Sequence, residues 1–246
     1  MSKFIEVLSD KTSLIARTQE LVLTKIKAAI ARQDRASIVL AGGSTPKPLY
    51  ESLATQDLPW SKIHIFWGDE RYVPADHPES NQLMARQAWL DKVAIPQDNI
   101  HPIPTDGNSP EEDAATYEKE LREFFGVSSS EFPSFDLILL GIGDDGHTAS
   151  LFPHTPILKE TEKAIAVGNK SGQPRLSFTA PLINQANCVL FLVAGANKTD
   201  ALTHILQEDA DNLAYPARLI LPQGELWWLL DESASKTLKN SDISLQ

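Results

Sequence analysis

Four short, almost wholly apolar runs, each stopped at a glycine, restrict what this chain can fold into more than any other feature. Residues 36–41, 63–67, 137–140 and 189–194 are dominated by Ile, Val, Leu, Phe and Ala, and they meet Gly42, Gly68, Gly141 and Gly195. A run without polar alternation is buried on both faces, as strands of a parallel sheet are. Between the runs the period changes. Residues 10–32 set Leu14, Ile15, Leu21, Val22, Ile26, Ala29 and Ile30 close to helical spacing behind a capping Asp10. Further helices are predicted over 46–54, 80–92 (Leu83, Met84, Ala88 and Leu90 inward), 111–125 and 199–207. Strands are predicted at 4–8, 164–167 and 175–179, the last two joined by a turn at 169–173. Residues 95–110 read as loop. Thr148, Ala149 and Ser150 begin a short helix ended near Pro153, and the tail after Asp231 reads as another. Strands alternating with helices predict a single α/β domain over 1–246, its largely parallel sheet covered on both faces.

The totals limit the partners. The 246 residues, 42% hydrophobic and 22% charged, suffice for a sizeable core. A formal net charge of −11 argues against nucleic acid or an anionic membrane as partner. An anionic ligand must then be held by a few local basic groups and backbone N–H groups. The single cysteine, Cys188, lies in an apolar run and reads as a small buried hydrophobe. No internal disulfide is possible, which suits a reducing cytoplasm. The N-terminus has no apolar leader core, and no apolar run approaches the roughly 20 residues of a membrane span. Oligomeric state is not set by these features.

Chemistry concentrates at the strand ends. In a parallel sheet all C-terminal ends open on one edge, where ligands bind. There, residues 42–45 (Gly42, Gly43, Ser44, Thr45), 69–71 (Asp69, Glu70, Arg71), 141–147 and 195–198 converge. The glycine-rich turn at 42–45 is either a phosphate cradle or a capped strand-to-helix turn. Arg71 either binds an anion or stabilises an oxyanion, or it makes a surface ion pair. Arg175 and Lys198 are further phosphate candidates. Gly141, Gly143 and Gly146 have dinucleotide-loop spacing, but Asp144 and Asp145 would face the pyrophosphate, and His147 stands where a P-loop has its lysine. That turn suits acid–base chemistry better. A neutral His147 can take a proton from water, with Asp144 or Asp145 orienting the ring. The alternative is a histidine that caps the next helix. His147 and His154 form no tight metal-ligand cluster, and no Gly-x-Ser-x-Gly elbow signals a covalent serine mechanism.

Four segments resemble the 6-phosphogluconolactonases, in family order: Leu40-Ala-Gly-Gly-Ser-Thr-Pro46, Trp67-Gly-Asp-Glu-Arg-Tyr-Val-Pro74, Gly141-Ile-Gly-Asp-Asp-Gly-His-Thr-Ala-Ser-Leu-Phe-Pro153 and Gly195-Ala-Asn-Lys198. Residues 174–179 match a weaker family segment. The resemblance implies a Rossmann-like α/β fold, no required cofactor, and hydrolysis of 6-phospho-D-glucono-1,5-lactone in the oxidative pentose phosphate pathway. It implies His147 as general base, Asp145 and Arg71 as active-site residues, and Gly42, Gly43, Ser44, Thr45, Asp69, Arg175 and Lys198 as contacts to substrate or its phosphate. Two rivals share the fold. Glucosamine-6-phosphate deaminases resemble the chain up to the histidine but then carry an Asn-Glu-Pro-type segment, where this chain has Ser150-Leu-Phe-Pro153. A non-catalytic sugar-phosphate regulator would ordinarily carry a basic DNA-binding segment, which is absent before Ile38, and would be expected to lose the histidine.

Overall fold

The apolar runs form strands because both of their faces are covered. In the computed structural model, which describes residues 2–207 and 209–238, the elements are β1 (Ser2–Leu8), α1 (Lys11–Gln33), β2 (Ala36–Leu40), α2 (Lys47–Leu53), β3 (Ile63–Trp67), β4 (Asp69–Arg71), α3 (Asn81–Ala88), β5 (Ile100–His101), α4 (Pro110–Phe125), β6 (Leu137–Leu140), β7 (Ile165–Lys170), β8 (Gln173–Phe178), α5 (Ala180–Ile183), β9 (Cys188–Val193), α6 (Thr199–Leu206) and β10 (Glu225–Asp231). Every residue of β2, β6 and β9 is buried. Burying one such side chain contributes about 1.5–3 kcal/mol, so these strands define the core.

Seven strands form one sheet in the order β1-β10-β9-β6-β2-β3-β5, every neighbouring pair parallel. This is the mostly parallel, helix-covered Rossmann-like sheet that the apolar runs and the resemblance predict. The chain proceeds from β2 through β3 to β5 on one side, then returns to lay β6, β9 and β10 on the other. The direction of winding therefore switches between β2 and β6, where open α/β sheets leave a crevice at their C-terminal edge. The two strands are clamped at their opposite ends. The Asp136 carboxylate accepts from the Ser37 N–H and Oγ, both at 2.8 Å, and from Arg32 and Gln33. That clamp fixes the register in which the 42–45 and 141–147 turns emerge side by side.

A second sheet stands over that edge, built on the hairpin expected at 164–179 and joined by a strand, β4, that the sequence did not indicate. It is antiparallel, in the order β4-β8-β7. β3 runs through Gly68 directly into β4, and the Gly68 carbonyl accepts from the Phe178 N–H at 2.8 Å. The hairpin between β7 and β8 turns at Ser171 and Gly172, both at positive φ, with Lys170 paired to Gln173. That is the two-residue turn whose twist matches its strands.

Other departures are local. The 80–92 helix stops at Ala88, where Trp89 leaves the helical region to bury its indole against Tyr50 and Trp60. Its inward residues are Ala85, Ala88, Trp89 and Leu90, while Leu83 and Met84 are half-buried. The loop over 95–110 contains β5. No helix follows His147. Thr148 and Leu151 form an isolated bridge, and Ala149 has φ +46°. Residues 232–238 are turns rather than the expected helix, and the rest of that prediction lies outside the described residues. Cys188 is buried, which pushes its thiol up to about 12. Among the described residues no helix is long and apolar enough to cross a membrane.

Candidate active site

A cleft of about 580 Å³ opens at the switch point, lined from both sheets. Gly42, Gly43, Ser44, Thr45, Asp69, Arg71, His147, Arg175 and Lys198 all line it, as does Asp144. Asp145 does not: it sits behind His147. Three cleft residues carried no candidate signal in the sequence, Lys11, Lys170 and Asp231, and Asn81 is a fourth. Lys11 directly follows the cap of α1, and Lys170 ends a hairpin strand. Only the topology brings either to the strand ends.

One side of the cleft is the turn after β6. The His147 ring Nδ1 lies 2.5 Å from Asp145 Oδ1, and the same oxygen accepts from the His147 N–H at 3.1 Å. Burial would raise the Asp145 carboxyl. The hydrogen bond and charge of His147, with help from Lys170, overcome this and hold it down at about 2. A group so acidic is a pure acceptor at neutral pH. Nδ1 therefore donates to Asp145, which leaves Nε2 as the ring nitrogen that Asp145 does not engage. Gly143 makes room for this pair. A Cβ there would stand 2.0 Å from His147 Nδ1 and 2.3 Å from Asp145 Oδ1. The N–H groups of Gly143, Gly146 and His147 are spent inside the turn, and those of Ser150 and Leu151 on Ser177 Oγ and the Thr148 carbonyl.

The opposite wall is cationic. Arg71 on β4 and Arg175 on β8 are direct cross-strand partners. Burial first, and then the Arg71 charge, pull the Arg175 pKa below its ordinary value. The Nε of each guanidinium is buried without a protein acceptor, while Arg71 Nη1 donates to the Glu79 carbonyl. Two adjacent cations with unspent donors are relieved by an anion between or beside them. In all, five basic side chains line the cleft against three acidic ones, in a chain of net charge −11.

Two of those acids are occupied in holding the walls. Asp231 accepts from the N–H groups of Gly195 and Ala234 and from Ser233 Oγ, which fixes the turn that carries Lys198. Asp69 Oδ2 accepts from the buried Ser150 Oγ at 2.7 Å, tying the small sheet to the His147 loop. Glu70 is structural. It is 3% exposed and accepts from the N–H groups of Arg71, Asn81 and Gln82 and from Ser80 Oγ, although burial pushes its pKa up. Asn81, so anchored, donates to the Asp69 carbonyl and packs on Gly42, where a Cβ would lie 2.0 Å from its Oδ1. The 42–45 turn leads into α2 with Pro46 at the cap position and no side-chain capping bond. Ser44 and Thr45 are thus not the helix caps that the alternative sequence reading required.

Fold and cleft together define a Rossmann-like α/β protein with an anion-receptive site at the switch point of its sheet and a carboxylate-oriented histidine inside it. The chain belongs to the glucosamine-6-phosphate isomerase/6-phosphogluconolactonase family, whose model matches residues 9–228. It is similar to a 6-phosphogluconolactonase of Synechocystis, at 61% identity over 97% of this chain and all of that one. A 6-phosphogluconolactonase of Nostoc is 59% identical over 97% of this chain and 99% of its own length. Among solved structures, the 6-phosphogluconolactonase of Trypanosoma brucei superposes with a TM-score of 0.87 at 32% identity, covering 97% of this chain and 99% of that one.

Proposed function

We propose that this chain is a lactonase that hydrolyses 6-phospho-D-glucono-1,5-lactone to 6-phospho-D-gluconate with water activated by His147. The observation that carries the reading is the shared cleft: one imidazole, oriented by a carboxylate, faces a group of cations in an otherwise acidic chain. Near full-length identity to two proteins named 6-phosphogluconolactonase supports the substrate.

In this reading His147 Nε2 takes a proton from water while the hydroxide attacks the lactone C1. Asp145 keeps the ring in the correct tautomer and stabilises the imidazolium. The tetrahedral oxyanion goes to the guanidinium of Arg71, whose buried Nε has no protein acceptor. As the C1–O5 bond breaks, the imidazolium returns its proton to the ring oxygen, which becomes the C5 hydroxyl. Gly42, Gly43, Ser44, Thr45, Arg175 and Lys198, with Lys11 beside them, hold the phosphate and so orient C1 toward His147. The large and small sheets act as one α/β unit, since both build this cleft. The protein works in the cytoplasm, where the lactone is formed.

A deaminase would need, besides Asp145, a carboxylate for ring opening in the segment after the histidine. That segment is here Ser150-Leu-Phe-Pro153, and it sets Phe152 against His147, with ring centroids 4.6 Å apart. The test is a coupled assay of freshly generated lactone, corrected for its spontaneous hydrolysis, run in parallel with ammonia release from glucosamine 6-phosphate. Acceleration of the first alone is expected, and ammonia release without lactone hydrolysis would overturn the reading.

A further inference from the structure

We infer that Phe152 is a positioning residue for this reaction, a ring on which His147, Lys170 and Arg175 are held relative to one another. The inference rests on the lactonase reading above and assigns a function to a side chain which that reading leaves unused.

Phe152 is 5% exposed, yet among the described residues it does not join the contiguous hydrophobic core that takes in its neighbour Leu151. Its surroundings are polar and functional. The His147 ring is tilted 47° to it at 4.6 Å. Lys170 Nζ lies 5.3 Å, and Arg175 Cζ 5.7 Å, from the ring centroid. Both distances fall within the range over which an aromatic quadrupole attracts a cation. All three partners line the cleft, whereas Phe152 does not. A buried ring that meets the general base and two cations but not the ligand acts through them.

The topology explains why such a residue is needed. His147 belongs to the loop after β6 of the large sheet, while Lys170 and Arg175 belong to β7 and β8 of the small one. The base and the cations must be aligned across two separate sheets. Phe152 spans that gap, and its own backbone is fixed: its carbonyl accepts from the Thr155 N–H at 3.3 Å and from Thr155 Oγ1 at 2.6 Å. Lys170 gains most from the arrangement. It sits at the tip of an exposed hairpin, and the ring limits where its ammonium can go.

The test compares F152L, which keeps apolar bulk without the quadrupole, with F152Y, which keeps the ring, and both with K170M and the F152L/K170M double variant. Active-fold fractions are set by circular dichroism melts. F152L is expected to raise KM for the fresh lactone by about tenfold, the loss of two cation contacts, with a smaller fall in kcat. F152Y should restore KM to within about twofold. K170M should cost less in the F152L background than in wild type, because its cation has already lost its seat. A ring serving only as packing would lower the active fraction and leave KM unchanged. An unchanged KM in F152L, no rescue by F152Y, or effects of F152L and K170M that simply multiply would overturn the inference. Should F152L not fold, F152M takes its place. An arm independent of turnover reads the His147 Hε1 resonance: it should lose its ring-current shift in the leucine or methionine variant, and an unmoved resonance also overturns the inference. A wild type inactive on the lactone refutes the functional reading instead, and leaves this arm standing.

Discussion

Replacing Gly143 by alanine tests the catalytic geometry with a single methyl group. The new Cβ would lie 2.0 Å from His147 Nδ1, where real contacts essentially never fall below 3.0 Å. The imidazole must retreat by about 1 Å or rotate off Asp145, and a misplacement of that size costs about 10²-fold in rate. The substitution is otherwise mild. Gly143 is not among the residues with positive φ, so alanine fits the backbone, and its lower unfolded-state entropy offsets part of the crowding. We therefore expect kcat to fall by about 10²-fold, while the urea midpoint moves by no more than about 1 kcal/mol equivalent. Steady-state hydrolysis of fresh lactone, with the spontaneous rate subtracted, measures the first, and urea titration the second. A folded G143A with wild-type kcat would show that the His147–Asp145 contact is not what catalysis depends on.

Four further outcomes follow from the same contacts. Because Asp145 is held at about 2 against an ordinary 3.8, its contact with His147 stabilises the fold fully above pH 3.8 and is lost as pH falls through 2; thermal melts should show the gap between wild type and D145N closing over that window. R175M should raise KM for the lactone by about tenfold or more and flatten its dependence on ionic strength, because a partly buried guanidinium contributes charge-assisted bonds to an anion. G42A should also raise KM, since its Cβ meets Asn81 Oδ1 at 2.0 Å and disturbs the wall of the 42–45 turn; inorganic phosphate should then protect it less than wild type against thermal unfolding. S37A should cost about 1–3 kcal/mol in urea titration, because the buried Asp136 carboxylate and N–H each lose a partner.

The large sheet was legible because its central strands are buried on both faces and so read as unbroken apolar runs. Ile63–Trp67 was bounded correctly from its sequence alone. α1 was equally plain, with Asp10 capping it through Ser13 N. Of the small sheet, the β7–β8 hairpin was legible and β4 was not. β4 has three residues, and β5 at the edge of the large sheet has two, too few to show any period, and the sequence of β4 is Asp-Glu-Arg, which reads as a charged loop. The helix expected after His147 fails for tertiary reasons. Thr148 Oγ1 donates to the Gly141 carbonyl and Ser150 Oγ to Asp69, and these bonds, with Ala149 at positive φ, hold the loop open. The glycines, Arg71, Asp145 and His147 announced themselves as polar interruptions after apolar runs. Lys11 and Lys170 did not, since an isolated lysine is ordinarily solvated and only the fold brings these two to the cleft.

The central claim, that His147 delivers the water, is tested most directly by the initial rate of H147A on freshly generated lactone. The account predicts a folded variant whose rate lies about 10²- to 10⁴-fold below wild type, approaching the spontaneous reaction. A folded H147A that turns over the lactone at the wild-type rate would contradict it.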